Sequence, residues 1–327
     1  MTARVIALDL DGTLLTPHKT LLPSSLDALS RAKEAGFQLI IVTGRHHVAI
    51  HPFYQALALE TPAICCNGTY LYDYQAKTVL DADPMPVDKA LQLIDLLDEH
   101  QIHGLMYVDD AMLYEHPTGH VVRTSRWAQT LPPEQRPTFT QVSSLAQAAR
   151  DVNAVWKFAL TDEDIPRLQR FGQHVEQALG LECEWSWHDQ VDIARKGNSK
   201  GKRLTQWIEA QGGSMKNVIA FGDNYNDISM LEAAGTGVAM GNADEVDIAR
   251  KGNSKGKRLT QWIEAQGGSM KNVIAFGDNY NDISMLEAAG TGVAMGNADE
   301  AVKARADVVI GDNTTDSIAK FIYTHLL

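Results

Sequence analysis

The chain predicts a doubly wound α/β sheet carrying an inserted α+β module, and three observations predict it. Short apolar runs in the first third, "RVIALDLDG", "FQLIIVTGR" and "PAICCNG", each end in Asp, Gly, Thr or Asn, as buried parallel strands do where they pass into a loop. Between the first two, "PSSLDALSRAKEAG" has apolar positions at helical spacing, a Ser N-cap candidate and a Gly stop. This βαβ order resumes after Val191 as helix "SKGKRLTQWIEAQG", strand "NVIAFGD", helix "NDISMLEAAG" and strand "GVAMG".

From about Asp83 to Gln190 the pattern differs. "VDKALQLIDLLDEH" reads as a helix, "HGLMYVDDAMLYE" as a strand pair, "SSLAQAARD" as a helix and "NAVWKFAL" as a strand. "EDIPRLQRFGQHVEQALG" then reads as a helix and "CEWSWHDQVDIA" as a hairpin, with "QTLPPEQRP" a surface loop. The expected segments are therefore a first core part at 1–82, an inserted α+β domain at 83–190 and a second core part at 191–245. A repeat of that second part occupies 246–300, and a core strand and helix are expected at 301–327.

The repeat is literal. Val191–Glu245 returns letter for letter as Val246–Glu300, a period of 55 residues. Only one copy can complete the sheet begun by residues 1–66. The other leaves "VIAF" and "ISMLEAA" in need of partners, and each apolar side chain left exposed forgoes roughly 1.5–3 kcal/mol.

At 327 residues and 44% hydrophobic composition the chain can bury a sizeable core. A formal charge of −12 without a basic stripe excludes a nucleic-acid binder. No apolar run approaches the roughly 18 residues of a membrane span, and the N-terminus has no signal-peptide layout, so the cytoplasm is expected. Cys65, Cys66 and Cys183 are too few and odd in number for a disulfide framework, and read as buried small hydrophobes. A phosphate site on so acidic a surface would need a metal or concentrated local donors.

Four motifs sit at strand ends or helix starts. "DLDGT" places Asp9 and Asp11 after the first strand, where Asp9 could attack phosphorus and Asp11 exchange a proton with the leaving oxygen and then with water. In "TGR", the Thr43 hydroxyl and the amides of a Gly44 turn suit phosphate oxygens. "GNSKGK" offers Lys200 at a helix start; its spacing is not that of a P-loop. "GDNYND" adds Asp223, Asn226 and Asp227, and hard oxygen ligands from separate strand ends suit Mg²⁺. Asp9, the main-chain carbonyl of Asp11 and Asp223 would be direct ligands, with Asp227 holding a metal-bound water. "GTGVAMG" precedes its strand and is no dinucleotide fingerprint.

Taken together, "DLDGTLL", "TGR", "NSKG" and "GDNYNDISML" resemble the haloacid dehalogenase phosphohydrolase superfamily. An insert between the Thr and Lys motifs resembles its Cof-type subfamily, whose Rossmann-like core bears an α/β cap of the C2B type. The resemblance implies a Mg²⁺-dependent phosphomonoesterase with an aspartyl-phosphate intermediate. Its substrates would be small phosphorylated metabolites, pyridoxal 5′-phosphate and sugar phosphates among them. By that resemblance Asp9 is nucleophile and metal ligand, and Asp11 the general acid/base with its carbonyl on the metal. The Leu10 amide, Thr43, Gly44, Lys200 and Asn226 bind phosphate, and Asp223 completes the metal carboxylates. Trp127, Trp156, Trp185 and Trp187 in the cap could stack on a pyridine ring, although most of them read as core.

The first copy is the expected partner of Asp9, because residues 1–245 hold all four motifs in unbroken order. The second copy runs straight into "AVKARADVVIGD", whose strand should neighbour "GVAMG"; were it used, Lys255, Asp278, Asn281 and Asp282 would take over. A domain-swapped oligomer through the surplus copy is a further expectation. The alternatives are a sugar phosphomutase, a receiver-type phosphoaspartate domain, and a protein inactivated by its duplication. The large insert and Asp11 oppose the receiver reading, since a switch needs a lasting phosphoaspartate.

Overall fold

The computed structural model describes residues 4–117, 119–187, 189–240, 255–265, 267–312 and 314–325, and the chain forms two compact units that divide between Ala243 and Asp244. The first unit begins β1 (Arg4–Leu8), α1 (Pro23–Glu34), β2 (Phe37–Ile41), α2 (His51–Ala56), β3 (Ala63–Cys65), β4 (Tyr70–Asp73) and β5 (Thr78–Ala82). It continues α3 (Val87–His100), β6 (Gly104–Val108), β7 (Ala111–Tyr114), α4 (Gly119–Gln129), β8 (Phe139–Gln141), α5 (Leu145–Asp151), β9 (Val155–Thr161), α6 (Ile165–Leu179), β10 (Leu181–Trp187) and β11 (Gln190–Arg195). It closes with α7 (Lys200–Ala210), β12 (Val218–Gly222), α8 (Ile228–Ala233) and β13 (Thr236–Ala239).

The expected architecture is present, a doubly wound α/β core with an inserted α+β cap. The core sheet is parallel in the order β13-β12-β1-β2, and a parallel bridge from Val42 to Ile64 carries it toward β3. Val5, Ile6, Ala7 and Leu8 are all buried, as a strand covered on both faces requires. They pair with Val218, Ile219, Ala220 and Phe221, so the first copy of the repeat completes the sheet. In α1, Pro23 takes the first helical position and Leu22, rather than a serine, is the cap residue, because a missing N–H costs nothing there. Gly36, at φ +86°, ends the helix as expected.

The cap sheet runs β10-β11-β9-β6-β7-β8. One face packs on α3, α5 and α6: Ala90, Leu93, Ile94 and Leu97 of α3, at spacings of three and four, are buried with Phe158, Leu160, Phe171 and Val175. Strand β11 crosses residue 190, so a boundary drawn at the start of the repeat cuts a cap strand; the cap extends to Arg195 because Asp192–Ala194 pair with Lys157–Ala159. The β4–β5 hairpin, α4 and β8 have no counterpart in the sequence reading. Cys65 and Cys66 are buried as expected, but Cys183, on the β10 edge strand, is only partly so. Trp156 is core, Trp185 packs partly buried against the cap core, and the Trp187 side chain lies outside the described residues.

The second unit comprises α9 (Lys255–Ala265), β14 (Ile274–Gly277), α10 (Ile283–Ala288), β15 (Thr291–Ala294), α11 (Glu300–Lys303), β16 (Val308–Val309) and α12 (Ser317–His325). Its parallel sheet has the order β14-β15-β16. Residues 301–327, expected on the sheet that carries Asp9, lie here instead, since β16 pairs with the strand nearest to it in sequence, Val293 with Val308. Local structure is the same in the two copies. Gly201 lies so close to Ser229 that an added Cβ would sit 2.1 Å from its carbonyl oxygen, and Gly256 meets Ser284 at 1.9 Å. Burial differs with the neighbours: Thr236–Ala239 at the edge of the core sheet is mostly exposed, whereas Thr291–Ala294 between two strands is mostly buried. Among the described residues no helix is long and apolar enough to cross a membrane.

Two buried histidines join core to cap. The Val48 N–H donates to His46 Nδ1 at 3.2 Å, and His46 Nε2 lies 2.8 Å from the Val108 carbonyl, so the neutral Nε2–H tautomer satisfies both. Burial, then the adjacent His47, pushes the His46 pKa from 6.5 to about 3. Between those values an unfolded chain binds the proton and the folded chain does not, so stability falls as pH falls. We expect the urea midpoint to drop on acidification from pH 6.5, with a slope of about 1.4 kcal/mol per pH unit from this residue. His46→Gln should flatten that slope, and an unchanged slope would contradict the assignment.

Candidate active site

Asp9 follows β1 and is buried, its amide donating to the Phe221 carbonyl at 3.1 Å and so tying the ends of β1 and β12 together. Lys200, the first residue of α7, donates from Nζ to Asp9 Oδ1 at 2.7 Å and to Asp227 Oδ1 at 2.6 Å. Three features aim it. The Ser199 side chain caps α7 by accepting from Lys202 N–H. Gly68, at φ +88°, lets the backbone of Ser199 approach to where a Cβ would meet its carbonyl oxygen at 2.1 Å. Buried Arg203 donates to the Gly68 and Thr69 carbonyls, to Asp83 at 2.9 Å and to Asp81, which fastens the helix to the β4–β5 hairpin.

The acidic side is built as tightly. Asp227 Oδ2 accepts from the amides of Asp223 and Asn224 at 3.0 and 3.1 Å, closing a capping box with Asn224. Thr13 Oγ1 donates to Asp223 Oδ1 at 2.9 Å, and Gly12, at φ +86°, allows that approach, since a Cβ there would lie 1.9 Å from Asp223 Oδ2. Asp9, Asp223 and Asp227 each present an oxygen within 4.8 Å of the others. Burial, then the charge of Asp227, pushes the Asp9 carboxyl up to about 8 even with Lys200 against it. Three carboxylates facing one ammonium in a buried pocket, all hard oxygen donors, fit a Mg²⁺ ion. The oxygens of Asp227 are already committed to Lys200 and two amides, which suits it to an outer position.

Asp11 stands apart from that cluster. Its carboxylate is gripped by Arg45, Nε to Oδ2 at 2.5 Å and Nη2 to Oδ1 at 2.7 Å, and by Lys19 at 2.6 Å. Burial opposes its charge, but Arg45 and then Lys19 hold the carboxyl well below the usual range. Leu10 turns the loop, its carbonyl accepting from the amides of Thr13, Leu14 and Leu15. Thr43 is buried, and its Oγ1 accepts from the Arg45 amide at 3.2 Å. Gly44 admits Asn67, to whose Oδ1 Asn226 donates at 3.0 Å.

Asp9 and Asp11, with part of their surroundings, line one cavity of about 340 Å³ between core and cap, and Lys200, Asp223 and Asp227 lie behind Asp9. From the core come Asp9, Asp11, Thr43, Gly44, Arg45 and Asn226; from the cap come Tyr107, Lys157, Asp192 and one face of α4. On α4, His120, Arg123, Thr124 and Trp127 recur at steps of three, one and three and face the cavity together. The sequence reading assigned Arg45 no role, although it ends the quoted "TGR". Asn67 carries one local signal, the Asn-Gly of "CCNG", and its φ of +56° is the left-handed backbone that such a pair favours.

The second copy reproduces only half of this. Lys255 Nζ lies 2.8 Å from Asp282 Oδ1, and Asp282 Oδ2 accepts from the amides of Asp278 and Asn279. Asn297 donates to Asp278 at 2.9 Å, and the Asn281 side chain lies outside the described residues. The Lys255 side chain is 47% exposed where that of Lys200 is 1%. The structure thus brings Lys200, Asp223 and Asp227 to Asp9 within the first unit, and the alternative set of Lys255, Asp278 and Asp282 belongs to the second.

The haloacid dehalogenase-like hydrolase family model matches the chain twice, over residues 6–246 and 244–322. The pyridoxal phosphate phosphatase YbhA of Escherichia coli is 70% identical over 327 residues, covering all of both proteins. The 5-amino-6-(5-phospho-D-ribitylamino)uracil phosphatase YitU of Bacillus subtilis is 31% identical over 244 residues, 73% of this chain and 86% of that one. A solved haloacid dehalogenase-like hydrolase from B. subtilis superposes with a TM-score of 0.61 at 20% identity, covering 99% of this chain and 100% of that one. With the family model matching most of its length and a relative 70% identical over the whole of both proteins, the chain belongs to the haloacid dehalogenase-like hydrolase family.

Proposed function

We propose that the protein is a Mg²⁺-dependent phosphatase that cleaves pyridoxal 5′-phosphate and small sugar phosphates through a phosphorylated Asp9. The contact of Lys200 with both Asp227 and Asp9, the last of which lines the capped cavity, is the observation that carries this reading. The substrate follows from YbhA, and the cytoplasm from three free thiols, of which burial raises that of Cys66 to about 12.

Asp9 attacks phosphorus as the P–O bond to the ester oxygen breaks, and Asp11 supplies the proton that oxygen needs. Asp11 then takes a proton from water, whose oxygen displaces Asp9 from phosphorus and releases phosphate. Lys200, Thr43, Asn226 and the amides of Leu10 and Gly44 hold the phosphoryl oxygens. Mg²⁺ held by Asp9, Asp223 and the Asp11 carbonyl, with Asp227 behind it, would offset the charge of the phosphoryl group. Arg45 and Lys19 keep Asp11 ionised in the ligand-free site. An incoming phosphate dianion competes for those two cations and so frees Asp11 to carry its proton.

A swapped oligomer through the surplus copy would need β14 to meet β1 of a second chain. Pairing of β12 with β1 in the same chain supports a site built from one chain.

Phosphate release from pyridoxal phosphate in the presence of Mg²⁺ tests the reading. Asp9→Asn should abolish turnover, and Asp223→Asn should lower it by about 10²-fold or more. Asp278→Asn should leave it within about twofold, since that carboxylate belongs to the second unit, whose sequence has no counterpart of Asp9. Loss in Asp278→Asn with retention in Asp223→Asn would transfer the site to the second copy.

A further inference from the structure

We propose that Lys157 and Asp192 of the cap are specificity residues that recognise the ring hydroxyl of a 3-hydroxypyridine leaving group, with Lys157 donating to its oxygen. The proposal rests on the pyridoxal phosphate reading and goes beyond it by placing the ring.

Lys157 on β9 and Asp192 on β11 are each 2% exposed and lie on the cap-sheet face opposite α3, α5 and α6. The register sets them there. Lys157 pairs with Tyr107 on one side and Ala194 on the other, Asp192 pairs with Ala159, and Tyr107 pairs with Met112. Residues paired across strands share a face, so Tyr107, Met112, Lys157 and Asp192 form one surface, and all four line the cavity.

Lys157 Nζ lies 2.5 Å from Asp192 Oδ2 and 4.7 Å from the centre of the Tyr107 ring, while the Tyr107 hydroxyl is 3.4 Å from His120 Nε2. Asp192 also accepts from Gln190 and from Asn67, each at 3.3 Å, and Asn67 accepts from Asn226 at 3.0 Å. A hydrogen-bonded path therefore runs from the phosphate end of the cavity to the ammonium in its cap wall.

A buried ion pair contributes less to stability than apolar residues of similar volume, so its place in a cavity wall asks for a ligand. An ammonium has three donors, and the Asp192 contact takes one. The complementary ligand is flat, presents an anionic or hydrogen-bonding oxygen to the cap, and carries its phosphate on a short arm. A 3-hydroxypyridine meets each condition, with Tyr107, Met112 and Trp127 as apolar walls. Asp192 and the Tyr107 ring, against the cost of burial, hold the Lys157 amine protonated, which favours a hydrogen bond to the ring oxygen over condensation with the neighbouring aldehyde.

The test compares kcat/KM for pyridoxal 5′-phosphate and for 3-deoxypyridoxal 5′-phosphate, which keeps the aldehyde and phosphate and lacks only the hydroxyl. The parent should prefer the hydroxylated substrate by about 10- to 100-fold, the worth of one charged hydrogen bond. In Lys157→Met the ratio should collapse to about one, and Lys157→Arg should restore part of it. Equal use of the two substrates by the parent overturns the proposal while leaving the pyridoxal phosphatase reading intact. A parent that hydrolyses phenyl phosphate but not pyridoxal phosphate overturns both. A Lys157→Met variant that loses rate yet keeps the parent's ratio assigns the pair to holding the cap in shape. Should that variant not fold, the parent's ratio still decides.

Discussion

The bond from Lys200 to Asp9 and Asp227 is the constraint on which the rest of the first unit depends. It joins Asp9, at the end of β1, to Lys200 of α7, 191 residues on, and to the loop after β12, around one buried charge. An ammonium so placed is costly unless it is paired, and removing it would leave Asp9 and Asp227 buried together without the cation between them. The surrounding architecture reads as a set of devices that keep it paired. Arg203 fixes α7, Gly68 and Gly201 let backbones close to within a methyl's width, and the Asn224 capping box turns Asp227 inward. Each of these contacts sets where Lys200 can reach.

Electrostatics then divides the cavity into two regimes. At its floor the carboxylates outnumber cations, and Asp9 is pushed toward its neutral form. Toward the cap, Asp11 and Asp192 are matched or outmatched by Arg45, Lys19 and Lys157, while burial keeps His46 and His120 neutral, His120 near about 4. The two ends of the cavity thus differ in charge, with carboxylates at the core end and cations facing the carboxylates toward the cap.

Much of this was legible in the sequence because the chemistry sits where strands end. Asp9, Thr43, Lys200 and Asp223 all follow an apolar run or open a helix, and βαβ order carries them to one edge of a parallel sheet. The grip of Arg45 on Asp11 was not legible, since it depends on how the loop after β1 folds over β2. Nor was the cap face, where Tyr107, Lys157 and Asp192 come from three strands whose register is fixed only once the sheet forms. The boundary at residue 190 followed the start of the repeat, although the hairpin read at "CEWSWHDQVDIA" already runs past it to Ala194, as β11 does.

Identical copies remove side-chain preference as an explanation of which one meets Asp9, and chain connectivity remains. Either arrangement keeps four parallel pairings. β1·β12, β12·β13, β14·β15 and β15·β16 are the ones formed, and exchanging the copies would replace β1·β12 by β1·β14. The second copy keeps β16 in either arrangement. The first copy reaches its slot from β11 through Lys196–Ser199, whereas the second would be reached only through a further 55 residues. Loop-closure entropy puts that difference at about 2 kcal/mol, enough to populate one arrangement over the other by more than tenfold. The winning copy leaves its own last strand at the sheet edge, and the exposure of Thr236–Ala239 against the burial of the same four letters at Thr291–Ala294 records that outcome. Sequence thus sets what each copy can become, and the length of the connection sets which of them is joined to the nucleophile.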